Sequence, residues 1–562
     1  MSILVKTAEK QIIAAVSAAI QAATADASFA AVEIPDFKVE VPADRANGDF
    51  SANAAFMLSK ALRMPPRKIA EAIQAHLVLD GTYFERAETA GAGFLNFFLA
   101  ASFYADVLLD VAAKGEGYGH SDIGKGKSAL VEFVSANPTG PMHVGNARGG
   151  ALGDCLASVL SWAGYRTERE FYVNDSGNQI EKFALSLDMR YLELYRDGIE
   201  MPEDSYHGED IIEHAKAFAE IHGDSLVDAP EADRRKALVE FALPKNIAGL
   251  ERDLLKYRIK YDTWFRESTV HNSGDVQKVL ALLRDSGYTY ELDGAVWFKA
   301  TDFGCDKDFV LVRSNGLPTY IVPDIAYHYN KLCVRGFNRA IDILGADHHG
   351  YVPRLKAALE AIGVDSSRLE VILMQMVRLV KDGEIIKASK RSGKAITLVT
   401  LLEEVPIDAA RFFFNYREAN SHFDFDLDLA VENSSQNPVY YCQYAHARIC
   451  SIFKKLAAEG VSGRECTQAE LCRLTAPEEK ELISHLAALT GEVELAAKTC
   501  DPTRLTHYAT ELAGCFHKFY NAVHVMGEDE ALMQARLFLC ACVRDTMKNL
   551  LSMMKIDSPE TM

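Results

Sequence analysis

The chain has 562 residues, 49% of them hydrophobic and 25% charged; this composition excludes disordered, collagen-like and low-complexity classes and fills roughly three to four domains of typical size. Sixty Lys and Arg against 79 Asp and Glu leave a formal charge of −19, which argues against a polybasic membrane or histone-like binder and confines any nucleic-acid contact to a local basic strip. No run approaches the ~18 apolar residues of a membrane helix, and the opening MSILVKTAEK resembles neither a secretory leader nor an Arg-rich transit peptide.

Taken in chain order, residues 1–118 alternate helical and strand-like stretches and read as one domain. Its uncharged run Gln11–Ala25, interleaved with Gln, Ser and Thr, predicts an ordinary packed helix, and Gly91-Ala92-Gly93 before Phe94–Leu99 predicts a strand opened by glycines. The glycine-rich stretch from Gly115 to Gly126 is the best linker in the chain. A second domain, 119–405, follows: a buried strand at Ala129–Val134, a helix over Met142–Ala163, a charged and mostly helical insertion at about 180–270, a strand at Ala340–Gly345, a helix over Tyr351–Ile362, a strand at Val371–Met376 and a basic loop at 381–394. This alternation implies a doubly wound, Rossmann-like parallel sheet. From 406 to 562 strand signals vanish and helical periodicity predicts an α-helical bundle, so the fold class is α/β multidomain. Eleven cysteines, eight of them after residue 440 and none in a Cys-x-x-Cys pair, predict reduced, buried thiols in a cytosolic protein.

Asn137-Pro138-Thr139-Gly140-Pro141-Met142-His143-Val144-Gly145-Asn146 lies between strand and helix, where backbone amides and the helix dipole favour an anion. His143 and Asn146, one turn apart, can both donate to a phosphate or ribose, and Gly145 leaves room for a flat base. A lone His-x-Gly-Asn reads more plainly as a turn with a surface histidine; the preceding strand, the following helix and the small residues of Arg148-Gly149-Gly150-Ala151 favour a nucleotide site. Glu132 falls inside a strand buried on both faces, where an unpaired carboxylate is costly. Two readings stay open: an internal partner such as Arg148 or Lys127, or a carboxylate kept for a cationic substrate at the carboxyl edge of the sheet. Tyr320-Ile321-Val322-Pro323-Asp324 offers an aromatic hydroxyl and a second carboxylate, in residues that also make a common helix start. Asp347-His348-His349, without an acidic cluster nearby, is expected to face a ligand rather than hold a metal. Lys387-Ala388-Ser389-Lys390-Arg391-Ser392-Gly393-Lys394 is either a solvated basic loop or a mobile clamp that neutralises a triphosphate as pyrophosphate leaves.

In this order the segments resemble a class I aminoacyl-tRNA synthetase. His143-Val144-Gly145-Asn146 is similar to the class's His-Ile-Gly-His signature and Lys387-Ala388-Ser389-Lys390-Arg391 to its Lys-Met-Ser-Lys-Ser loop; Asn146 stands where the class has histidine and Ala388 where it has methionine. Within the class the chain resembles the arginyl-tRNA synthetase family over almost its whole length. Asn47-Gly48-Asp49-Phe50-Ser51 with Gly93-Phe94-Leu95-Asn96-Phe97 is similar to that family's additional tRNA-binding domain, and Glu132-Phe133-Val134-Ser135-Ala136-Asn137 to its amino-acid-binding strand and loop. Tyr261-Asp262-Thr263-Trp264-Phe265 fits as well. Asp408-Ala409-Ala410-Arg411 resembles the motif that names the helical anticodon-binding domain, and Gln443-Tyr444-Ala445-His446-Ala447-Arg448 belongs to the same resemblance.

The resemblance implies ATP-dependent attachment of L-arginine to tRNA(Arg), through arginyl-adenylate, to the terminal 2′-hydroxyl, with activation requiring bound tRNA. It implies ATP binding by Pro138, Met142, His143, Gly145, Asn146, Lys387, Ser389 and Lys390, with His143, Asn146, Lys387 and Lys390 as the catalytic group and Mg²⁺ arriving on the ATP, without a protein-only metal site. Glu132, Ser135, Asn137, Tyr320 and Asp324 are then expected to bind arginine, with Asp347 or His348 near it, and Asn47, Phe50, Arg411, Tyr444 and Arg448 to meet the tRNA. A guanidinium is best held by paired carboxylates, so the substrate would offset the burial of Glu132. Glu132→Gln is then expected to raise the arginine KM about a hundredfold. Tyr440 and Tyr441 are suited to stacking on unpaired anticodon bases beside Tyr444.

Three rivals share parts of this pattern. A synthetase for cysteine or glutamate would lack the paired carboxylates, a small-metabolite nucleotidyltransferase has no use for a helical RNA-binding domain, and a non-catalytic tRNA-binding paralogue would lose signature residues kept here. The chain is expected to work as a cytoplasmic monomer, away from membranes.

Overall fold

Five parallel strands form the central sheet, in the spatial order Leu369–Met374, Arg339–Gly345, Ser128–Glu132, Arg166–Val173 and Thr263–Arg266. The computed structural model describes residues 3–203, 205–386, 396–527 and 529–562, with Arg45 in its backbone alone. In chain order the sheet reverses direction between Ser128–Glu132 and Arg339–Gly345; their carboxyl ends therefore flank the switch point where such folds bind ligands. Alternate residues face opposite cores. Ile341 and Ile343 join the core beneath the helix Val144–Trp162, hereafter the signature helix, while Ala340 and Leu369 join the core beneath the helix Ile321–Tyr329. The signature helix lies so close to the sheet that a Cβ on Gly153 would stand 2.1 Å from Phe133 Cγ.

The insertion leaves the sheet after Arg166–Val173 as three helices, Asn178–Leu192, Glu209–His222 and Glu231–Lys256, around a core of its own that includes Phe183, Leu187, Tyr191, Phe218 and Leu238. At the amino end, a four-stranded antiparallel sheet (Val39–Glu40, Phe50–Ala52, Phe94–Leu99, Phe84–Ala90) is packed by the helices Ile3–Ala25, Ala54–Leu62 and Pro66–Ala75. Long helices, Pro438–Ala458, Pro477–Thr499, Thr503–Ala522 and Glu530–Met553, build the carboxyl end.

One expectation fails beyond residue 406. Phe423–Asp426 is a strand, pairing in parallel with Val377–Lys381, which in turn pairs with Glu384–Ile385. Phe-Asp-Phe-Asp is a period-two pattern with both phenylalanines buried and the acids turned outward, where Arg378 grips Asp424 at 2.6 and 2.8 Å. The cysteines are all unbridged. Among the described residues no helix is long and apolar enough to cross a membrane.

Candidate active site

Three acids stand side by side across the switch point. Asp342 pairs in register with Glu132, and Glu132 with Glu170, on three adjacent strands, and their exposures are only 2%, 7% and 0%. The groups that meet them come from the helix Ile321–Tyr329 and the turn after it. Lys331, fully buried, donates to Glu132 Oε2 and, at 2.8 Å, to Asp342 Oδ1. The Tyr327 hydroxyl lies 2.9 Å from Glu132 Oε2 and 2.6 Å from Glu170 Oε1, and His328 Nε2 sits 2.7 Å from Asp342 Oδ2. Arg335 bonds both Glu170 and Glu168. Burial alone would lower the Lys331 ammonium, but Asp342, Glu132 and Glu170 hold it above its ordinary value. Asp342 is pulled well below the carboxylate range, against its burial, by Lys331 and His328. Burial raises Glu170 despite Lys331 and Arg335.

The partner of Glu132 is thus neither Arg148 nor Lys127. Arg148, fully buried on the signature helix, donates instead to the carbonyls of Gln375 (2.8 Å), Glu418 (2.8 Å) and Ser421 (3.1 Å). Nor is the burial of Glu132 left for a substrate to offset, because Lys331 already does so from within the chain. Ser135 Oγ donates to Glu132 Oε1 at 2.9 Å and accepts the Tyr172 N–H at 3.1 Å. To make that return, Val134 and Ser135 adopt φ of 69° and 42°, the left-handed region that a β-branched residue rarely enters.

Asp324, on the first turn of its helix, is half-buried, and its Oδ2 accepts the Tyr351 hydroxyl. Burial pushes its carboxyl up to about 6; the Tyr351 hydrogen bond and His328 pull the other way, and the like charges of Glu132 and Glu267 add to the rise. Tyr320 is 68% exposed and stacks on Tyr351 at 5.9 Å. Asn137 is exposed beside Asn174. Asp347 and His348 are exposed on a single turn after Arg339–Gly345, 3.2 Å from one another.

On the other side of the sheet edge, His143 caps the signature helix with its side chain exposed, and its N–H donates to Asn146 Oδ1 at 3.1 Å. The amide oxygen of Asn146 is thereby engaged as a cap, leaving its NH₂ to donate. Nothing stands within 4 Å of where a Gly145 side chain would begin, so the turn is open to a flat group. Contrary to expectation, the Pro138 and Met142 side chains are not presented to a nucleotide: both are buried, and the Met142 carbonyl accepts from Leu398, so they shape the turn. The Val144 N–H donates to the Ile396 carbonyl at 3.0 Å, and His143 bridges to Thr397. Lys387, Ser389 and Lys390, with Ala388, lie outside the described residues; Ile396 follows that segment directly. Among the described residues no group of three or more His, Cys, Asp or Glu is placed to hold a metal ion.

Two expected tRNA contacts are internal. Phe50 is 4% exposed, packed edge-on against Phe84, and Arg411 is fully buried, donating to Asp154 Oδ2 and to the carbonyls of Met554 (2.8 Å) and Tyr257 (3.0 Å). Asp154, on the signature helix, also receives Arg169 and Lys555 at 2.7 and 2.9 Å. Asn47 is exposed on the turn Arg45–Asn47. Tyr440 and Tyr444 stack at 6.1 Å and 6° on the helix Pro438–Ala458; with Arg448 and His517 they line a groove of about 410 Å³. The Arg448 guanidinium sits 4.2 Å over Tyr520. Burial and Arg448 push the His517 imidazole down to about 4, so it is neutral at physiological pH.

Sequence reasoning missed Tyr327, His328, Lys331 and Tyr351. The first three follow Asp324 at helical spacing of three, four and seven, a signal that was readable once Asp324 had been singled out. Tyr351 has no local signal.

The comparisons with known proteins bear on the family and the fold. Three family models cover the chain: "Arginyl tRNA synthetase N terminal domain" over residues 10–99, "tRNA synthetases class I (R), catalytic domain" over 110–449, and "DALR anticodon binding domain" over 442–562. The Asp408–Arg411 segment lies outside the last of these. Curated relatives named "Arginine--tRNA ligase" include that of Acetivibrio thermocellus, 49% identical, and that of Caldanaerobacter subterraneus subsp. tengcongensis, 50% identical, each match covering 100% of both chains. The solved Thermus thermophilus arginyl-tRNA synthetase shares the fold at a TM-score of 0.74 and 23% identity, over 97% of this chain and 99% of that one. With its full length matched at these identities and its sheet edge arranged as described, the chain belongs to the arginyl-tRNA synthetase family.

Proposed function

We propose that the chain attaches L-arginine to tRNA(Arg) at the expense of ATP. The arginine carboxylate attacks the α-phosphate of ATP, giving arginyl-adenylate and pyrophosphate; the 2′-hydroxyl of the tRNA's terminal adenosine then takes the arginyl group and AMP leaves. Members of the family use ATP, generally with Mg²⁺. Mg²⁺ bound with the triphosphate would supply charge neutralisation at the departing pyrophosphate. His143 and Asn146 donate to the phosphates, Gly145 admits the base, and Lys387, Ser389 and Lys390 serve the leaving pyrophosphate, the two lysines by offsetting its charge.

Asp324 is the principal ligand of the guanidinium. Glu132, with three of its roughly four acceptor positions taken by Ser135, Tyr327 and Lys331, contributes at most one hydrogen bond. Tyr320 covers the side chain, Ser135 and Asn137 meet the α-amino end, and Asp347 or His348 lies at the rim. Asn47, Tyr444 and Arg448 contact the tRNA. The first domain runs 1–118, the catalytic domain from 119 through the strand Phe423–Asp426 that pairs with Val377–Lys381, and the helical domain from there to 562; the chain acts as a monomer in the cytoplasm, a setting that suits eleven unbridged cysteines.

The observation that carries this reading is the pairing of Met142–Val144 with Ile396–Leu398, which sets the chain just beyond the basic segment against the signature turn. ATP–pyrophosphate exchange against all twenty amino acids, with and without tRNA, tests it. Exchange with arginine alone, and only with tRNA present, is the expected result; exchange with another amino acid would overturn the substrate, and silence throughout would favour a non-catalytic tRNA binder.

A further inference from the structure

Between Glu132 and His143 the backbone has no regular structure, and it must carry Asn137 to the arginine site. Its two ends are held within the catalytic domain: the Phe133 carbonyl accepts the Tyr261 hydroxyl at 2.9 Å, and Met142 and Val144 pair with Leu398 and Ile396. Its middle is held from the insertion. Asn246 Nδ2, on the helix Glu231–Lys256, donates to the Pro138 carbonyl at 3.0 Å, and Asn246 Oδ1 lies 2.6 Å from His214 Nε2, on the helix Glu209–His222. Because the Asn246 amide nitrogen is the donor to Pro138, its oxygen is the acceptor and His214 Nε2 carries the proton. A second approach lies alongside: Asp210 Oδ2, buried and with no hydrogen-bond partner, is 3.6 Å from where a Gly140 side chain would begin. Pro244, two residues before Asn246, removes a backbone donor from the helix interior. It falls where that helix passes from the insertion's core (Leu238, Ala242, Leu243) to the main core (Leu250, Leu254).

We infer that Asn246 is a positioning residue for arginine binding: through His214, Asn246 and the Pro138 carbonyl, the helical insertion fixes the loop that presents Asn137. Asn246 touches no substrate; it acts on the residue next to Asn137. His143 is anchored separately to the segment Ile396–Leu398, so loosening the loop's middle moves the arginine side of the site and spares the ATP side. The inference rests on the reading of Asn137 as an arginine ligand.

Steady-state aminoacylation by the full chain tests it, with arginine and ATP varied in turn. Asn246→Asp keeps the shape and the acceptor for His214 but cannot donate to Pro138; it is expected to raise the arginine KM about tenfold while the ATP KM and the melting temperature stay at their wild-type values. His214→Ala, a milder change at a half-buried position, is expected to raise the arginine KM by a smaller factor and serves in its place should Asn246→Asp fail to fold. Wild-type arginine KM in the folded variant overturns the inference, as does a fall in kcat and melting temperature with both KM values unchanged, which would mark a purely structural role. Asn137→Ala is measured in parallel. A raised arginine KM there with a silent Asn246→Asp removes this inference alone, whereas a silent Asn137→Ala removes both it and the reading of the site.

Discussion

Glu132 and Asp342 stand opposite one another on adjacent parallel strands, and a single ammonium, that of Lys331, serves both carboxylates. A synthetase that selects a cation therefore keeps a permanent cation of its own directly beneath the site. The arrangement divides the acids: the buried pair shares an internal cation, whereas Asp324, half-buried, has the Tyr351 hydroxyl and not a cation against it, which is why the proposed reading gives the substrate to Asp324.

Removing Lys331 should unfold more than it disables. Lys331→Met leaves Glu132 and Asp342 buried without their shared cation, and uncompensated charges of this kind cost about 3–5 kcal/mol. Denaturant titration is the check, with the midpoint expected to fall sharply; an unchanged midpoint would mean that His328 and Tyr327 suffice.

Asp324 should give arginine recognition a pH dependence. Its folded carboxyl titrates near 6, above the ~3.9 of an unfolded aspartate. Between those values the native state holds a proton that the unfolded chain has lost, so Asp324 makes stability fall as pH rises through that window. Arginine affinity moves the other way, because the guanidinium needs the ionised form. The arginine KM is expected to drop as pH rises from about 5.5 to 7.5, and Asp324→Asn to abolish the trend while raising the KM at neutral pH by roughly ten- to hundredfold. A wild-type KM that is flat with pH would remove this role.

Arg411 belongs to the fold and not to the tRNA surface. Arg411→Met, by stripping a buried charge from Asp154, should cost about 3–5 kcal/mol in thermal or denaturant unfolding. The tRNA KM of the folded fraction should stay at its wild-type value, and a raised one would restore the contact that its burial denies.

The groove on the helix Pro438–Ala458 should behave as a stacking platform. Tyr444→Ala is expected to weaken tRNA binding by about 1–3 kcal/mol. Arg448→Ala should lower the slope of log affinity against log salt by about one. Filter binding across a salt series reads both, and an unchanged slope would confine Arg448 to packing against Tyr520.

Much of this was legible in the sequence, because strand, turn and helix signals are local. The doubly wound sheet, the turn at His143 and the helix start at Asp324 came from alternation, glycine, proline and a short run of apolar residues. What the sequence hid was distance. Lys331 is 199 residues from Glu132 and Tyr351 is 27 from Asp324, and no period links either pair. Burial was equally invisible: Phe50 and Arg411 carry side chains suited to RNA, yet packing turned both inward. The strand Phe423–Asp426 was missed for a different reason, since four alternating residues between helices are easily read as a loop.

Val134 and Ser135 hold two consecutive non-glycine residues in a left-handed turn directly after Glu132, an expense of about 1–3 kcal/mol each. Glycine at position 134 would adopt that φ without strain, but it would also open the turn to other conformations and withdraw the Val134 side chain from the core it packs against, so the Ser135 hydroxyl would be held less firmly to Glu132 and the Tyr172 amide. A thermostabilised descendant of this chain should therefore be screened for arginine saturation as well as for melting temperature, because at this turn relief of strain and substrate grip pull in opposite directions.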